Sequence, residues 1–435
     1  MAQGPPETHA EHAGRSSTER LPAARDLGTA QSGHSKGAGS LLTEDEIHRD
    51  LRPWQVEALM KWQCASNRGI AQVVTGGGKT RLALACIASW MHLASDHCLI
   101  LVPTLALQDQ WVIALEDDLR VPRSEISVWG ETDDAGRRFH VMVINTARSK
   151  AAVVESQAQR LILIADECHR YASQENSRAL AIRTDASLGL TATAEREFDD
   201  GLDSVLIPAL GEIIFDYSLT DAIRDRVVNQ FELINIQVPL AASEEEEIAR
   251  LTRAIGRASS AGEEERAKML AIKRAAVSKR AASRLPVTVR IAEEHPNASV
   301  LIFHEDIASA ELITQVLQKR GTPALAYHSK IAPEVRRDNL RLFASGNVPV
   351  LVSCRALDEG VNLPNVSVAI VAAATSSQRQ RVQRLGRALR KVEGKPTAAI
   401  YTLYATPHEG SQLRIESERL SDVARVSWRR ATPGS

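Results

Sequence analysis

The sequence has few cysteines, and no two of them are close enough to form a metal-binding pair. The five cysteines are scattered, and most of them lie in apolar stretches: Cys64, Cys86, Cys98, Cys168 and Cys354. This distribution argues against a zinc site and against a disulfide framework. It predicts buried free thiols in a reducing compartment.

An excess of charge of either sign is also missing. The chain has 53 Lys and Arg residues against 54 Asp and Glu residues, so a nucleic-acid-binding surface has to be a local patch. No apolar run approaches the length of a membrane span, and the N-terminus has no apolar signal core. We therefore expect a cytoplasmic protein without a membrane partner.

The chain of 435 residues is long enough for about two or three domains. Residues 1–40 have almost no large apolar side chains, which predicts a disordered tail. After them, short apolar runs alternate with helical stretches, a pattern typical of parallel sheets covered by helices on both faces. The sequence thus predicts an α/β fold with a first domain at 41–222, a second at 223–408 and a tail at 409–435. The second domain is expected to contain a charged helical insertion at about 243–285.

A glycine-rich stretch is the clearest candidate for a binding site. Thr75-Gly76-Gly77-Gly78-Lys79-Thr80 lies between an apolar strand-like run and an apolar helix-like run. Glycines let backbone N–H groups converge on a phosphate, and the helix that follows presents its positive end there. Lys79 would reach the β- and γ-phosphates of a nucleotide, and the Thr80 hydroxyl would bind Mg²⁺. The full phosphate-loop motif has a further glycine at the position of Val73, so the match is to a shortened form. The alternative is a tight glycine-rich turn without a ligand.

Two further groups of charged residues suit phosphate chemistry. Asp166 and Glu167 follow the strand-like run Leu161–Ala165, where one carboxylate could bind Mg²⁺ and the other could deprotonate water. Arg387 and Arg390 are one helical turn apart and could stabilise charge on a transferred phosphoryl group. Taken singly, a solvated charge pair and a basic helix face are the alternatives.

A proline-led helix precedes the glycine-rich stretch. Proline at position 53 is placed where a helix begins, and Gln55 follows it. The Gln55 amide could pair with the edge of an adenine. A core-facing Trp54 with an incidental Gln55 explains the pattern equally well.

In their order along the chain, these motifs resemble those of superfamily 2 helicases and translocases, from Leu51 to Tyr404. The resemblance implies two tandem RecA-like domains that close on ATP, with Mg²⁺ bound by Thr80 and Asp166. It implies further nucleotide contacts from Arg52, Gln55, Gly360, Asn362 and Gln383. It also implies a nucleic-acid backbone groove along Pro103, Thr104, Thr146 and Ser353.

Within this superfamily, the residues of several motifs most resemble those of type III restriction motor subunits and XPB-like translocases. These motifs are Leu105–Trp111, Leu190–Thr193 and Leu357–Pro364. Asn362 is a departure from that group, which usually has an aspartate there, so this side chain cannot orient Arg387 by charge. The resemblance implies ATP-driven movement along, or unwinding of, DNA, with RNA left open. An ATP-dependent clamp or sensor within a larger defence or repair complex is the alternative, and a nuclease or specificity subunit is the expected partner.

Overall fold

The computed structural model describes residues 46–47, 49–192, 201–225, 231–354, 366–375, 398–418, 420 and 424–431. These residues lie within one compact unit, Ser40–Ser435. Several sequence predictions fall outside the described residues: the tail at 1–40, and Gly360, Asn362, Gln383, Arg387 and Arg390. In the part of the chain that the structure describes, no helix is both long and apolar enough to span a membrane.

The first domain is built on a seven-stranded parallel sheet with the strand order β3-β4-β2-β5-β6-β1-β7. Its central strands are buried along nearly their whole length, which is why they appear in the sequence as continuous apolar runs. The strands are β1 Arg68–Val73, β2 Asp96–Val102, β3 Ile126–Val128, β4 Phe139–Val143, β5 Arg160–Asp166, β6 Ala186–Thr191 and β7 Ile213–Tyr217.

The second domain contains another seven-stranded parallel sheet, with the order β10-β11-β9-β12-β13-β8-β14. Its strands are β8 Phe231–Gln237, β9 Ser299–His304, β10 Ala324–Tyr327, β11 Val350–Cys354, β12 Val366–Val371, β13 Ala398–Tyr404 and β14 Ala424–Arg430. When the strands of each sheet are counted in chain order, both sheets have the same arrangement. Thus β8 is the counterpart of β1, β9 of β2, and β12 of β5, and the predicted tandem α/β fold is confirmed.

Helices cover both sheets. The first domain has Pro53–Cys64, Lys79–Trp90, Leu105–Ile113, Ile144–Gln157, Ile207–Leu210 and Leu219–Arg224. The second has Ala242–Ser260, Glu264–Lys279, Arg284–Glu293, Ile307–Lys319, Pro333–Ala344 and Pro407–Glu418. The first two helices of the second domain occupy the range in which the sequence predicts a charged insertion, and few of their side chains are buried.

The predicted tail at 409–435 is corrected by the structure. Helix Pro407–Glu418 continues beyond the predicted domain end, and β14 pairs in parallel with β8, with Val426 opposite Leu233. This strand was missed because an edge strand has one neighbour and is only partly buried, so its sequence is not a continuous apolar run. β14 completes the second sheet at the position that β7 has in the first.

Candidate active site

The glycine-rich loop joins the carboxyl end of β1 to the helix Lys79–Trp90, as the sequence predicts. Gly76 and Gly78 have φ angles of 81° and 112°, in the left-handed region that L-residues rarely adopt. A Cβ atom at Gly77 would lie 2.7 Å from the Val73 side chain and 2.9 Å from the Val74 carbonyl oxygen. The loop can therefore take this course only with glycine at these positions.

A buried ion pair links this loop to the end of β5. The Lys79 Nζ atom lies 2.7 Å from Glu167 Oε1, and both side chains are less than a tenth exposed. Asp166 is adjacent and also buried, and its Oδ1 accepts a hydrogen bond of 2.9 Å from the Glu167 backbone N–H. The structure thus brings together the lysine and the two carboxylates that the sequence predicts to be catalytic.

The electrostatics of this cluster favour a cation. Burial raises the pKa of Asp166, and the neighbouring charge of Glu167 raises it further. Burial disfavours the Lys79 ammonium, but Glu167 and Asp166 outweigh that effect, so the pKa of Lys79 is raised and it stays charged. One ammonium facing two carboxylates leaves surplus negative charge, which fits the preference of Mg²⁺ for carboxylate oxygens.

Glu167 has a strained backbone. Its φ of 48° and ψ of 51° place a non-glycine residue in the left-handed region, which costs about 1–2 kcal/mol. The Lys79 ion pair and the burial of the side chain hold it there. Strain of this kind is concentrated at functional sites, where it fixes the direction of a reactive side chain.

Arg52 and Gln55 contact the glycine-rich loop directly. Arg52 Nη1 donates to the Gly77 carbonyl oxygen at 2.8 Å, and Gln55 Nε2 donates to the Gly78 carbonyl oxygen at 2.9 Å. The Gln55 side-chain oxygen accepts from the Arg52 backbone N–H at 2.8 Å. These contacts hold the loop in place, and the pairing of Gln55 with adenine stays a prediction. Trp54 is buried and stacks on Tyr217, with ring centroids 4.8 Å apart. Trp54 therefore faces the core, as the alternative interpretation of this helix proposes.

Two contacts at this site were not predicted from the sequence. Trp111 Nε1 donates to Asp166 Oδ2 at 2.9 Å, from a helix of the same domain. His169 Nδ1 lies 2.9 Å from Thr191 Oγ1, which connects the segment after β5 to the end of β6. The sequence signals were the tryptophan at the end of Leu105–Trp111 and the hydroxyl in Leu190–Thr193, and neither by itself indicated a partner.

The predicted nucleic-acid contacts of the first domain lie at one edge of its sheet. Pro103 and Thr104 follow β2, and Thr146 lies in the first turn of the helix that follows β4, the neighbour of β2. All three are half-buried. Ser353 lies within β11, the counterpart of β4, but it is fully buried and its hydroxyl has no hydrogen-bond partner among the described residues. A phosphate contact at Ser353 therefore requires a local change of conformation.

Comparison with known proteins finds two matching family models and several similar helicases. Residues 48–196 match the family model described as "Type III restriction enzyme, res subunit", and residues 282–392 match "Helicase conserved C-terminal domain". The chain is 27% identical over 372 residues to "DNA 3'-5' translocase XPB2" of Sulfurisphaera tokodaii, covering 80% of each chain. It spans 38% and 56% of the length of two other helicase relatives, one from African swine fever virus and one from Schizosaccharomyces pombe.

Solved structures share the fold at low sequence identity. "S. cerevisiae Dbp5 bound to RNA and ADP BeF3" aligns over 89% of this chain and 95% of that chain, with a TM-score of 0.57 and 16% identity. "ATP-dependent Type ISP restriction-modification enzyme LlaBIII bound to DNA" aligns over 89% of this chain and 32% of that one, with a TM-score of 0.54 and 13% identity. Both family models match in the predicted order, and together with the XPB2 relative they support the predicted assignment of the chain as a superfamily 2 helicase that is XPB-like and type III restriction-like.

Proposed function

We propose that this protein hydrolyses ATP between its two domains to move along DNA, with strand separation as one outcome of that movement. The observation that supports this most is the buried cluster of Lys79, Glu167 and Asp166 beside a loop that only glycine can form. The cluster lies at the carboxyl edge of a parallel sheet, which is where such sheets bind their ligands. The loop and the surplus negative charge fit ATP and Mg²⁺ respectively.

In this proposal the loop 75–78 and Lys79 bind the phosphates, and Thr80 and Asp166 bind Mg²⁺, which would neutralise charge on the phosphates. Glu167 orients the attacking water and accepts its proton. In the structure Lys79 neutralises Glu167 at 2.7 Å. When Lys79 turns to a phosphate instead, Glu167 is released as a base, so the ion pair keeps the base inactive until nucleotide binds.

The second domain would complete the ATP site. Arg387 and Arg390 would neutralise charge on the γ-phosphate, while Gly360, Asn362 and Gln383 would contact the nucleotide, as the family resemblance implies. The name of the S. tokodaii relative supports DNA as the track. Pro103, Thr104, Thr146 and Ser353 would then contact its backbone without reading its sequence. A nuclease or specificity subunit as partner, and a cytoplasmic location, are further parts of the proposal.

The deciding measurement is the ATPase rate of the purified chain without nucleic acid and with single-stranded DNA, duplex DNA or RNA. We expect the largest stimulation by DNA, whereas greater stimulation by RNA would contradict the choice of substrate. Lys79→Ala and Glu167→Gln should each lower the rate roughly 10²- to 10⁴-fold. The exposed pair Lys268 and Glu265 supplies matched controls, because Lys268→Ala and Glu265→Gln break an ion pair of 3.0 Å far from the loop in sequence.

Movement needs a separate assay. We expect ATP-dependent displacement of a triplex-forming strand from duplex DNA by the wild type and none by Glu167→Gln. ATP hydrolysis without any displacement would instead identify the chain as a clamp or sensor. An unchanged ATPase rate in both Lys79→Ala and Glu167→Gln would exclude this cluster as the catalytic site.

A further inference from the structure

The helix Leu105–Ile113 lies between the two domains and is buried on both sides. Ala106 and Ile113 pack into the apolar cluster of the second domain, which includes Tyr327 and Phe343. Leu107 and its neighbours on the other side pack into the core of the first domain. Two faces of one short helix therefore contact two different domains.

On the second-domain face, Asp109 is completely buried and ion-paired. Its carboxylate accepts hydrogen bonds from Arg336 Nε at 2.7 Å, Tyr327 OH at 2.6 Å and Arg337 Nη1 at 3.3 Å. All three donors belong to the second domain. A buried carboxylate with these partners fixes the position of its own helix relative to that domain, since losing them would leave a charge buried without compensation.

On the opposite face, Trp111 contacts the ATP site. Residues two apart on an α-helix point about 200° away from each other, so Trp111 and Asp109 lie on opposite sides. The Trp111 indole N–H donates to Asp166 at 2.9 Å, and the indole ring is 1% exposed. The packing leaves this ring no freedom to move independently of the helix.

We propose that Trp111 is a positioning residue for Asp166, and that the Asp109 contacts make this position depend on how the two domains are placed. This inference rests on the proposed function, because Asp166 is assigned there to Mg²⁺. The helix is the physical link: it is held by arginines of the second domain on one face and holds the metal-binding carboxylate on the other. Its N-cap is Thr104, a predicted nucleic-acid contact, whose hydroxyl accepts from the Leu107 N–H at 3.3 Å.

Further ion pairs join the two domains around this helix. The first domain contributes the carboxylates and the second contributes the guanidinium groups. Arg337 donates to both oxygens of Glu131 at 3.0 Å, and Arg341 bonds to Asp117 at 3.0 Å and to Glu116. Each of these pairs breaks if the domains separate. Movement of the second domain therefore acts on the turn after the helix Leu105–Ile113, through Glu116 and Asp117, as well as on the helix itself through Asp109.

The first test is the substitution Trp111→Phe, which keeps an aromatic ring and removes the N–H donor. We would measure the affinity for ADP with Mg²⁺ and in excess chelator, using binding rather than turnover. Loss of a hydrogen bond to a carboxylate corresponds to about ten-fold or more in an equilibrium constant. We expect the Mg²⁺-dependent gain in ADP affinity to fall by about ten-fold, with the affinity in chelator unchanged.

Trp62→Phe is the matched control, because Trp62 is also buried in the first domain and donates its indole N–H to the Ser187 carbonyl oxygen at 2.9 Å. It should leave the Mg²⁺-dependent gain as in the wild type. An equal loss in both variants, or no loss in Trp111→Phe, would overturn the positioning role.

The second test addresses the link between domains. Asp109→Asn weakens the contacts on the helix itself, whereas Glu131→Gln weakens a domain contact made outside the helix, through Arg337, which also donates to Asp109. We expect Asp109→Asn to reduce the Mg²⁺-dependent gain in ADP affinity several-fold and Glu131→Gln to change it much less. The same effect from both substitutions, or none from Asp109→Asn, would overturn the link.

The two proposals fail in different ways. A wild-type chain that binds ADP more tightly with Mg²⁺ but shows no DNA-stimulated ATPase would refute the proposed function. The positioning role of Trp111 would still be decided by the binding comparison, because that comparison needs no hydrolysis.

Discussion

A buried histidine in the first sheet predicts a specific sensitivity to acid. His140 in β4 is completely buried, with its Nε2 3.4 Å from His97 Nδ1, and its Nδ1 accepts from Trp129 Nε1 at 3.3 Å. Burial lowers its pKa to about 3, and His97 adds to the shift, although the Arg137 backbone and Asp134 oppose it. The folded protein therefore holds His140 neutral across the mildly acidic range.

The size of the effect follows from the pKa difference. An unfolded histidine titrates near pH 6.5, so between about pH 6.5 and 3 the unfolded chain binds a proton that the folded chain does not. The stabilisation by neutral His140 is fully present above that window and is lost as the pH falls through it. The free energy of unfolding should decrease by about 1.4 kcal/mol per pH unit, which is about 2 kcal/mol between pH 6.5 and 5.

Urea denaturation at about pH 7.5, 6.5 and 5 would measure this loss in the wild type and in His140→Gln, whose amide does not titrate. The variant should lose about 2 kcal/mol less over the acid range, even if it is less stable at neutral pH. His92→Gln is the control, because His92 is an exposed histidine of the same domain. Parallel pH profiles for the wild type and His140→Gln would refute the reasoning.

Three further predictions concern the second domain. Arg387→Ala should lower kcat by on the order of 10³ with little effect on ATP binding, measured by steady-state kinetics, and a defect in binding alone would contradict its role. Ser353→Ala removes a buried hydroxyl without a described partner, so it should leave stability unchanged or raise it by about 1 kcal/mol. It should also weaken DNA binding in a fluorescence titration, and unaltered affinity would remove Ser353 from the groove. Truncation before Ala424 removes β14 and leaves β8 as an edge strand. The truncated chain should have a lower midpoint of thermal unfolding and should aggregate more, as measured by light scattering. An unchanged midpoint would show that β14 adds no stability.

The central strands were predictable because burial on both faces demands continuous apolar sequence. The run Leu161–Ala165 lies within the central strand β5. The edge strand β14 does not follow this rule, since it pairs on one side only and is partly exposed. This is why the sequence predicts a tail at 409–435 instead of a strand.

Some residues of the candidate site were predictable from the local sequence, whereas the contacts that orient them were not. The glycine-rich loop and the Asp166–Glu167 pair are local patterns, because a strand end and the following turn specify them. The contacts that orient these groups join residues far apart in the chain. Trp111 and Asp166 are 55 positions apart, and Asp109 and Arg336 are 227 apart. No local pattern specifies such pairs, since the first depends on how a helix packs on the first sheet and the second on how the two domains pack.

The two sheets have the same strand order but carry different residues at the ends of corresponding strands. β5 ends in Asp166 and is followed by Glu167, whereas its counterpart β12 is followed by Ala372 and Ala373. Within the described residues 372–375, the end of β12 therefore offers no equivalent carboxylates for a metal. Arginines of the helix Pro333–Ala344 in the second domain form ion pairs with carboxylates of the first domain.

The arginines of this helix already have carboxylate partners in the first domain. Arg336 and Arg337 are already neutralised by Asp109 and Glu131, and the pKa of each guanidinium is raised because these carboxylates outweigh the cost of burial. Releasing Arg336 to a nucleotide would remove from the completely buried Asp109 the closer of its two arginine partners, and breaking a buried ion pair costs about 3–5 kcal/mol. The proposed ATP site therefore takes its second-domain cations from outside this helix, which is the physical reason to test Arg387.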